Sequence, residues 1–186
     1  MSQRQTTLRA RVTAAILDAA AAVLAERGEQ ASMADVAAAA GMARATVYRY
    51  FPNREALLEE LGRLAVEEAG ERLTAGRLGE VGVQEAFERA VRALVAVGES
   101  FVVVSRENAR PDPAEFERRI ALPLRELIER AQSLGEVRDD LPASWLMESL
   151  IGIVVSGLQM RPSLGVEDTV EGITSLFLDG ARLRES

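Results

Sequence analysis

Arg44, Thr46, Tyr48, Arg49 and Tyr50 fall within seven residues, and the chemistry open to them is recognition rather than bond making. Two guanidiniums, a hydroxyl and two phenols present donors that suit phosphate oxygens and base edges, and a guanidinium can span two acceptors of a guanine at once. The ordinary apparatus of catalysis is missing. The chain of 186 residues has no His, no Cys and no Lys, its 22 basic residues all being Arg, so the usual bases, nucleophiles and Schiff-base formers are absent. Carboxylate neighbours such as Glu59–Glu60, Glu67–Glu68 and Asp139–Asp140 lie on helical faces or in a turn, where adjacent side chains diverge. The glycines of RLGEVG follow no strand, so they make no nucleotide fingerprint. No enzyme activity, cofactor or metal is expected.

The elements that must position those five side chains are legible around them. Ser32 to Arg54, SMADVAAAAGMARATVYRYFPNR, reads as two short helices about a tight turn, the form in which a second helix enters a DNA major groove. Ser32 can accept from the first free amides of a helix, with Asp35 three residues on as an acidic variant of the capping box. Gly41 supplies the positive backbone angle of a sharp helix end. Met42 and Val47 are the apolar residues expected to hold the two helices together, and Pro52 closes the unit by disfavouring helical geometry at Phe51.

At Ala40 to Leu58, AGMARATVYRYFPNREALL, the chain resembles the TetR family of bacterial transcriptional regulators, whose pattern is roughly A-G-V-S-x-G-T-L-Y-x-Y-F-x-x-K-E-x-L. Ala43 stands where the family usually has a capping serine, Ala45 replaces a glycine, and Arg54 replaces a lysine while keeping the charge. The resemblance covers about the first third of the chain. It implies that Arg44, Ala45, Thr46 and Tyr48 face base edges, and that Arg49, Tyr50, Arg54 and the helix start at Ser32 and Met33 face phosphates. Arg44 is the residue chosen for direct base reading.

Charge distribution fits one DNA-facing end. The net charge is −7, yet residues 1–54 hold seven Arg against four acids, a net of +3, and the remainder carries −10. Arg9 and Arg11, at the head of the first helix, and Arg4 before them extend the basic surface. No apolar run reaches the length of a membrane span, and the N-terminus lacks the apolar segment of a signal peptide, so a cytoplasmic protein with no membrane partner is expected.

Helical periodicity continues to the end. A first helix is expected over Thr7 to Arg27, a longer one from Arg54 or Glu55, and a long one from Val83 to Ser105 with Phe87, Val91, Leu94, Gly98, Phe101 and Val102 inward. A proline-started helix follows ARPDPAEF, with Pro123 dividing that segment. Two more helices finish the chain, over about 142–160 and 166–184. The expected architecture is all-α, about nine helices, with a three-helix helix-turn-helix DNA-binding domain at 1–54 and a helical effector-binding and dimerisation domain at 55–186. The resemblance implies an internal cavity in that second domain, for which Phe87, Phe101, Ser105, Asn108, Phe116, Trp145, Glu148 and Gln159 are the candidate ligand contacts, suited to an apolar or aromatic small molecule. It also implies a homodimer through the last two helices. The expected function is a ligand-responsive regulator, a repressor on a palindromic double-stranded DNA operator; the alternative is a helical adaptor or sensor dimer that has lost sequence-specific DNA binding.

Overall fold

The structure, a computed structural model, describes residues 3–98, 100, 102–103, 112–159 and 164–182. Among them the chain is helical, with no strand. It packs as two units, the first within 1–64 and 99–111, the second within 65–98 and 112–186.

The first unit begins with α1 (Gln3–Arg27), longer at its N-terminal end than the sequence pattern indicates. A 3-10 turn (Gly28–Gln30) leads to α2 (Met33–Ala39), α3 (Arg44–Tyr50) and the first turns of α4 (Arg54–Ala75). Its core is apolar: Ile16, Leu17, Ala20 and Leu24 from α1, Val36 and Ala37 from α2, Val47 from α3, then Phe51, Leu57 and Leu61, with Val103 joining them. Val47 is fully buried, and Met42 packs on the same cluster. One face of each short helix is thereby fixed. That packing supplies what a seven-residue helix lacks by itself, since isolated helices of this length are unstable in water.

Backbone chemistry sets the turn between α2 and α3. Gly41 takes φ +64°; the Met42 amide donates to Ala37 O at 2.9 Å and the Gly41 amide to Ala38 O at 3.1 Å. This pair of bonds is a Schellman ending, which needs a left-handed residue. A Cβ at Gly41 would meet nothing within 4 Å, so the backbone angle alone demands glycine. Phe51 is extended at φ −131°, ψ 99°, as the following proline requires.

The second unit contains the rest of α4, α5 (Val83–Val97), α6 (Pro113–Phe116), a π-helical stretch (Glu117–Ala121), α7 (Leu122–Ser133), α8 (Ala143–Gln159) and α9 (Val166–Ala181). Phe87 of α5 is fully buried and meets Phe177 of α9 at 5.3 Å between ring centroids, tilted by 42°. Leu94, Leu124, Ile128, Leu150 and Val154 complete the centre. Two expectations are corrected here. The helix from Val83 does not run unbroken to Ser105: α5 ends at Val97, where Gly98 adopts φ +60°, ψ −128°, a conformation that only glycine adopts readily. Pro123 does not divide its segment either. The chain stays helical through it because the preceding turn widens, the Leu122 amide donating to Glu117 O. A π turn moves the carbonyls that a proline ring would strike and absorbs its missing donor.

Candidate nucleic-acid interface

With Val47 buried, the opposite surface of α3 points outward. Arg44, Ala45, Tyr48 and Arg49 are exposed, and Thr46 and Tyr50 are half-buried. Tyr48 is 48% exposed, far more than a tyrosine placed to fill a core. The Arg49 guanidinium lies 5.5 Å from the Tyr50 ring centroid, and Arg9 of α1 lies over the same ring at 5.9 Å. Tyr50 is therefore braced by two cations, which limits its rotamers while leaving positive charge at the end of α3. At the other end, Ala43 caps α3 without any side-chain bond. The first amides of α3 consequently have no serine oxygen competing for them, and the helix dipole adds to the positive potential there.

The start of α2 differs. Ser32 and Asp35 form a reciprocal capping box: the Asp35 amide donates to Ser32 Oγ at 3.2 Å and the Ser32 amide to Asp35 Oδ2 at 2.9 Å. The Ser32 hydroxyl also donates to Asp35 Oδ2, at 2.5 Å, and Arg27 pairs with Asp35 Oδ1 at 2.8 Å. The Ser32 bonds, and secondarily the Arg27 charge, hold the Asp35 carboxyl below its ordinary range. Ser32 and Met33 are the residues expected at a phosphate. The Ser32 donors are used inside the chain, a carboxylate sits beside them, and the Met33 side chain is in the core.

Arg54 is likewise used internally. Its guanidinium donates to Ala31 O at 2.5 Å and to Gly28 O at 3.3 Å, tying the head of α4 to the turn that precedes α2. Its match to a basic position in a pattern points to phosphate, whereas the carbonyls of a 3-10 turn, which it meets here, carry no sequence signal. Asn53, missed in the sequence, accepts from the Ala56 amide at 2.8 Å and so caps α4, a role its residue type before an apolar run could have suggested.

Residues 16–61 match the family model described as bacterial regulatory proteins, tetR family. The HTH-type transcriptional repressor LfrR of Mycolicibacterium smegmatis is 53% identical over 55 residues, which span 30% of this chain and 29% of that protein. The crystal structure of the TetR-like regulator LfrR from Mycobacterium smegmatis in complex with proflavine superposes with TM-score 0.73 at 25% identity, covering 94% of this chain and 99% of that one. AibR, in complex with isovaleryl coenzyme A and operator DNA, shares the fold at TM-score 0.67 and 21% identity, over 89% of this chain and 97% of that one.

Residues 16–61 are similar to the N-terminal segment of TetR-family regulators, and the fold is similar to that of TetR-like regulators.

The candidate ligand contacts do not converge. Phe101, Ser105 and Asn108 lie outside the described residues. Phe87 is a core residue packed at a tilt against Phe177. Trp145 is 56% exposed, and Glu148 is exposed one turn further along the same face of α8. Phe116 and Gln159 are half-buried. Two clefts open on the second unit, one of about 380 Å³ along α5 and α9 and one of about 320 Å³ between the end of α4 and α7; none of the described candidates lines either. The reason is shared. Apolar periodicity marks a buried face, and a wall of a cavity and a wall of a core have the same pattern. No group of three or more carboxylates suited to a metal is found among the described residues, and no helix there is long and apolar enough to cross a membrane.

Proposed function

We propose that the chain is a ligand-responsive, DNA-binding transcriptional regulator, a repressor that holds a palindromic operator as a homodimer in the cytoplasm. The observation that carries the reading is α3 itself: a helix anchored through Val47 whose other side offers Arg44, Ala45, Tyr48 and Arg49 to solvent. Arg44 reads a base, with Ala45, Thr46 and Tyr48 on the same groove floor, while Arg49 and Tyr50 fix register on the backbone. Residues 1–54 are the DNA-binding domain in this reading, and 55–186 carry the effector site and the dimer contact.

Support for the dimer comes from the last two helices. Trp145, Glu148 and Gly152 share one exposed face of α8, and Gly172, Leu176 and Gly180 one of α9. Leu176 is 65% exposed, and a Cβ at Gly152, Gly172 or Gly180 would meet nothing within 4 Å. Open glycines beside an unpacked tryptophan and leucine suit the close approach of a second pair of helices. Small-molecule control is supported by two relatives, LfrR with proflavine and AibR with isovaleryl coenzyme A. An effector acts only through its different affinity for the DNA-competent and incompetent conformations.

Enrichment of duplexes from a random pool by the purified chain tests the proposal. An inverted repeat with half-sites about one helical turn apart is expected. A pool that stays random after repeated rounds contradicts it.

A further inference from the structure

The stretch from Ala31 to Arg54 contains α2, the Gly41 turn and α3, and one side chain joins its two ends. Nη1 of Arg54 donates to Ala31 O at 2.5 Å and Nη2 to Gly28 O at 3.3 Å. Ala31 and Phe51, near the two ends, both belong to the core. The helix-turn-helix is thereby a closed loop, fastened by a planar fork whose two nitrogens take two separate carbonyls.

Few other contacts set the direction of α3. It has seven residues, no side-chain cap, and Val47 as its one buried residue. One end leaves α2 through the Gly41 turn. The other runs through Phe51 and Pro52 to the head of α4, where Arg54 reaches back. The turn that Arg54 meets is steadied from its other side, since Arg27 pairs with Asp35 at 2.8 Å. Direction matters unequally to the two kinds of DNA contact. A base edge is read through short hydrogen bonds with narrow angular limits, whereas attraction to phosphates extends over a Debye length of about 10 Å. A small wobble of α3 therefore harms the first and spares the second.

We propose that Arg54 is a positioning residue for sequence reading: it clasps the α2–α3 loop shut and fixes the aim of α3 without touching DNA. Its consequence for selectivity rests on the DNA-binding reading. The clasp itself is measurable without DNA, so the two can fail separately.

Two full-length variants test it below their melting temperatures. Arg54→Met keeps an apolar stem and loses the donors, whereas Arg54→Lys keeps the charge but offers a single point in place of a fork. In the DNA-free protein, Arg54→Met is expected to lower the NMR order parameters of the α3 amides below about 0.85, the level of rigid backbone, with those of α1 unchanged. Its preference for an enriched duplex over a random-sequence one falls about tenfold, within what one base contact supplies. Affinity for the random duplex and its salt slope stay as in the wild type. Arg54→Lys falls between the two in both measurements. Loss of both duplexes alike in Arg54→Met, with a shallower salt slope and full binding by Arg54→Lys, would place Arg54 on a phosphate and overturn the proposal. Unchanged α3 order parameters would overturn it as well, by reducing Arg54 to an ordinary stabilising contact. A wild-type chain that prefers no duplex would sink the DNA-binding reading, and the order parameters would then decide the clasp.

Discussion

The arginines of α3 and those of the second unit are used differently. In the second unit most of the described ones are closed off by carboxylates: Arg72 with Glu68, Arg89 with Glu85, Arg118 and Arg119 with Glu115, Arg125 with Glu117, Arg138 with Asp140. The sharing of one carboxylate by two guanidiniums pulls Glu115 down to about 2. On α3, by contrast, neither Arg44 nor Arg49 is in an ion pair with the described residues; Arg49 and Arg9 instead rest on Tyr50. A chain with net charge −7 thus keeps uncompensated positive charge where α3 projects, and pairs most of the described arginines of its second unit. What matters for DNA recognition is the location of the unpaired charge, and the overall balance conceals it.

Substitutions can break that contrast or sharpen it. The largest effect belongs to the closed side. Phe87→Ala is expected to lower unfolding stability by about 3–5 kcal/mol in urea denaturation, as for a large side chain deleted from a packed core; a loss near zero would mark Phe87 as the wall of an open cavity after all. Arg54→Ala removes charge-assisted bonds to two backbone carbonyls and is expected to cost about 1.5–3 kcal/mol of stability, with the salt dependence of DNA binding unchanged. A slope shallower by about one counterion would instead place Arg54 on a phosphate.

Arg44→Ala should leave folding intact, weaken operator binding by about 1–3 kcal/mol and relax preference at one base position. An unchanged preference across an enriched set of duplexes would remove Arg44 from base reading. Gly41→Ala imposes a left-handed alanine and is expected to cost about 1–2 kcal/mol, read as a lower denaturation midpoint.

The smallest effect is a pH dependence. The Asp35 carboxyl is depressed below its ordinary 3.8 by Ser32 and Arg27, so the folded chain binds fewer protons than the unfolded one at acid pH. Its contribution is complete above about pH 4 and is lost as pH falls toward the folded value. Asp35→Asn should flatten the acid limb of the stability curve; identical limbs would show that the capping carboxylate adds nothing.

These residues also explain how far sequence reasoning reached. The helix-turn-helix was legible because its determinants are local: Ser32 and Asp35 cap within one turn, Gly41 ends a helix by its own backbone angle, and Pro52 fixes its neighbour. The α3 surface followed once Val47 was placed inward. Other features depended on partners distant in sequence or on unmarked backbone groups. Arg54 meets carbonyls 23 and 26 residues away. Phe87 finds Phe177 only when α5 and α9 pack, and the π turn that carries Pro123 has no composition of its own. The pattern of polar residues in apolar stretches pointed to Glu148, which lies on an open face.

Regulation in this reading depends most on α3 as a reader of duplex sequence. Its direct test is competition anisotropy in dilute salt without small molecules: a labelled duplex enriched by the chain, challenged with random-sequence DNA and with itself. Random competitor is expected to displace it about a thousandfold less effectively than the unlabelled duplex, and Arg44→Ala to narrow the gap. Equal displacement by both competitors would contradict that reading.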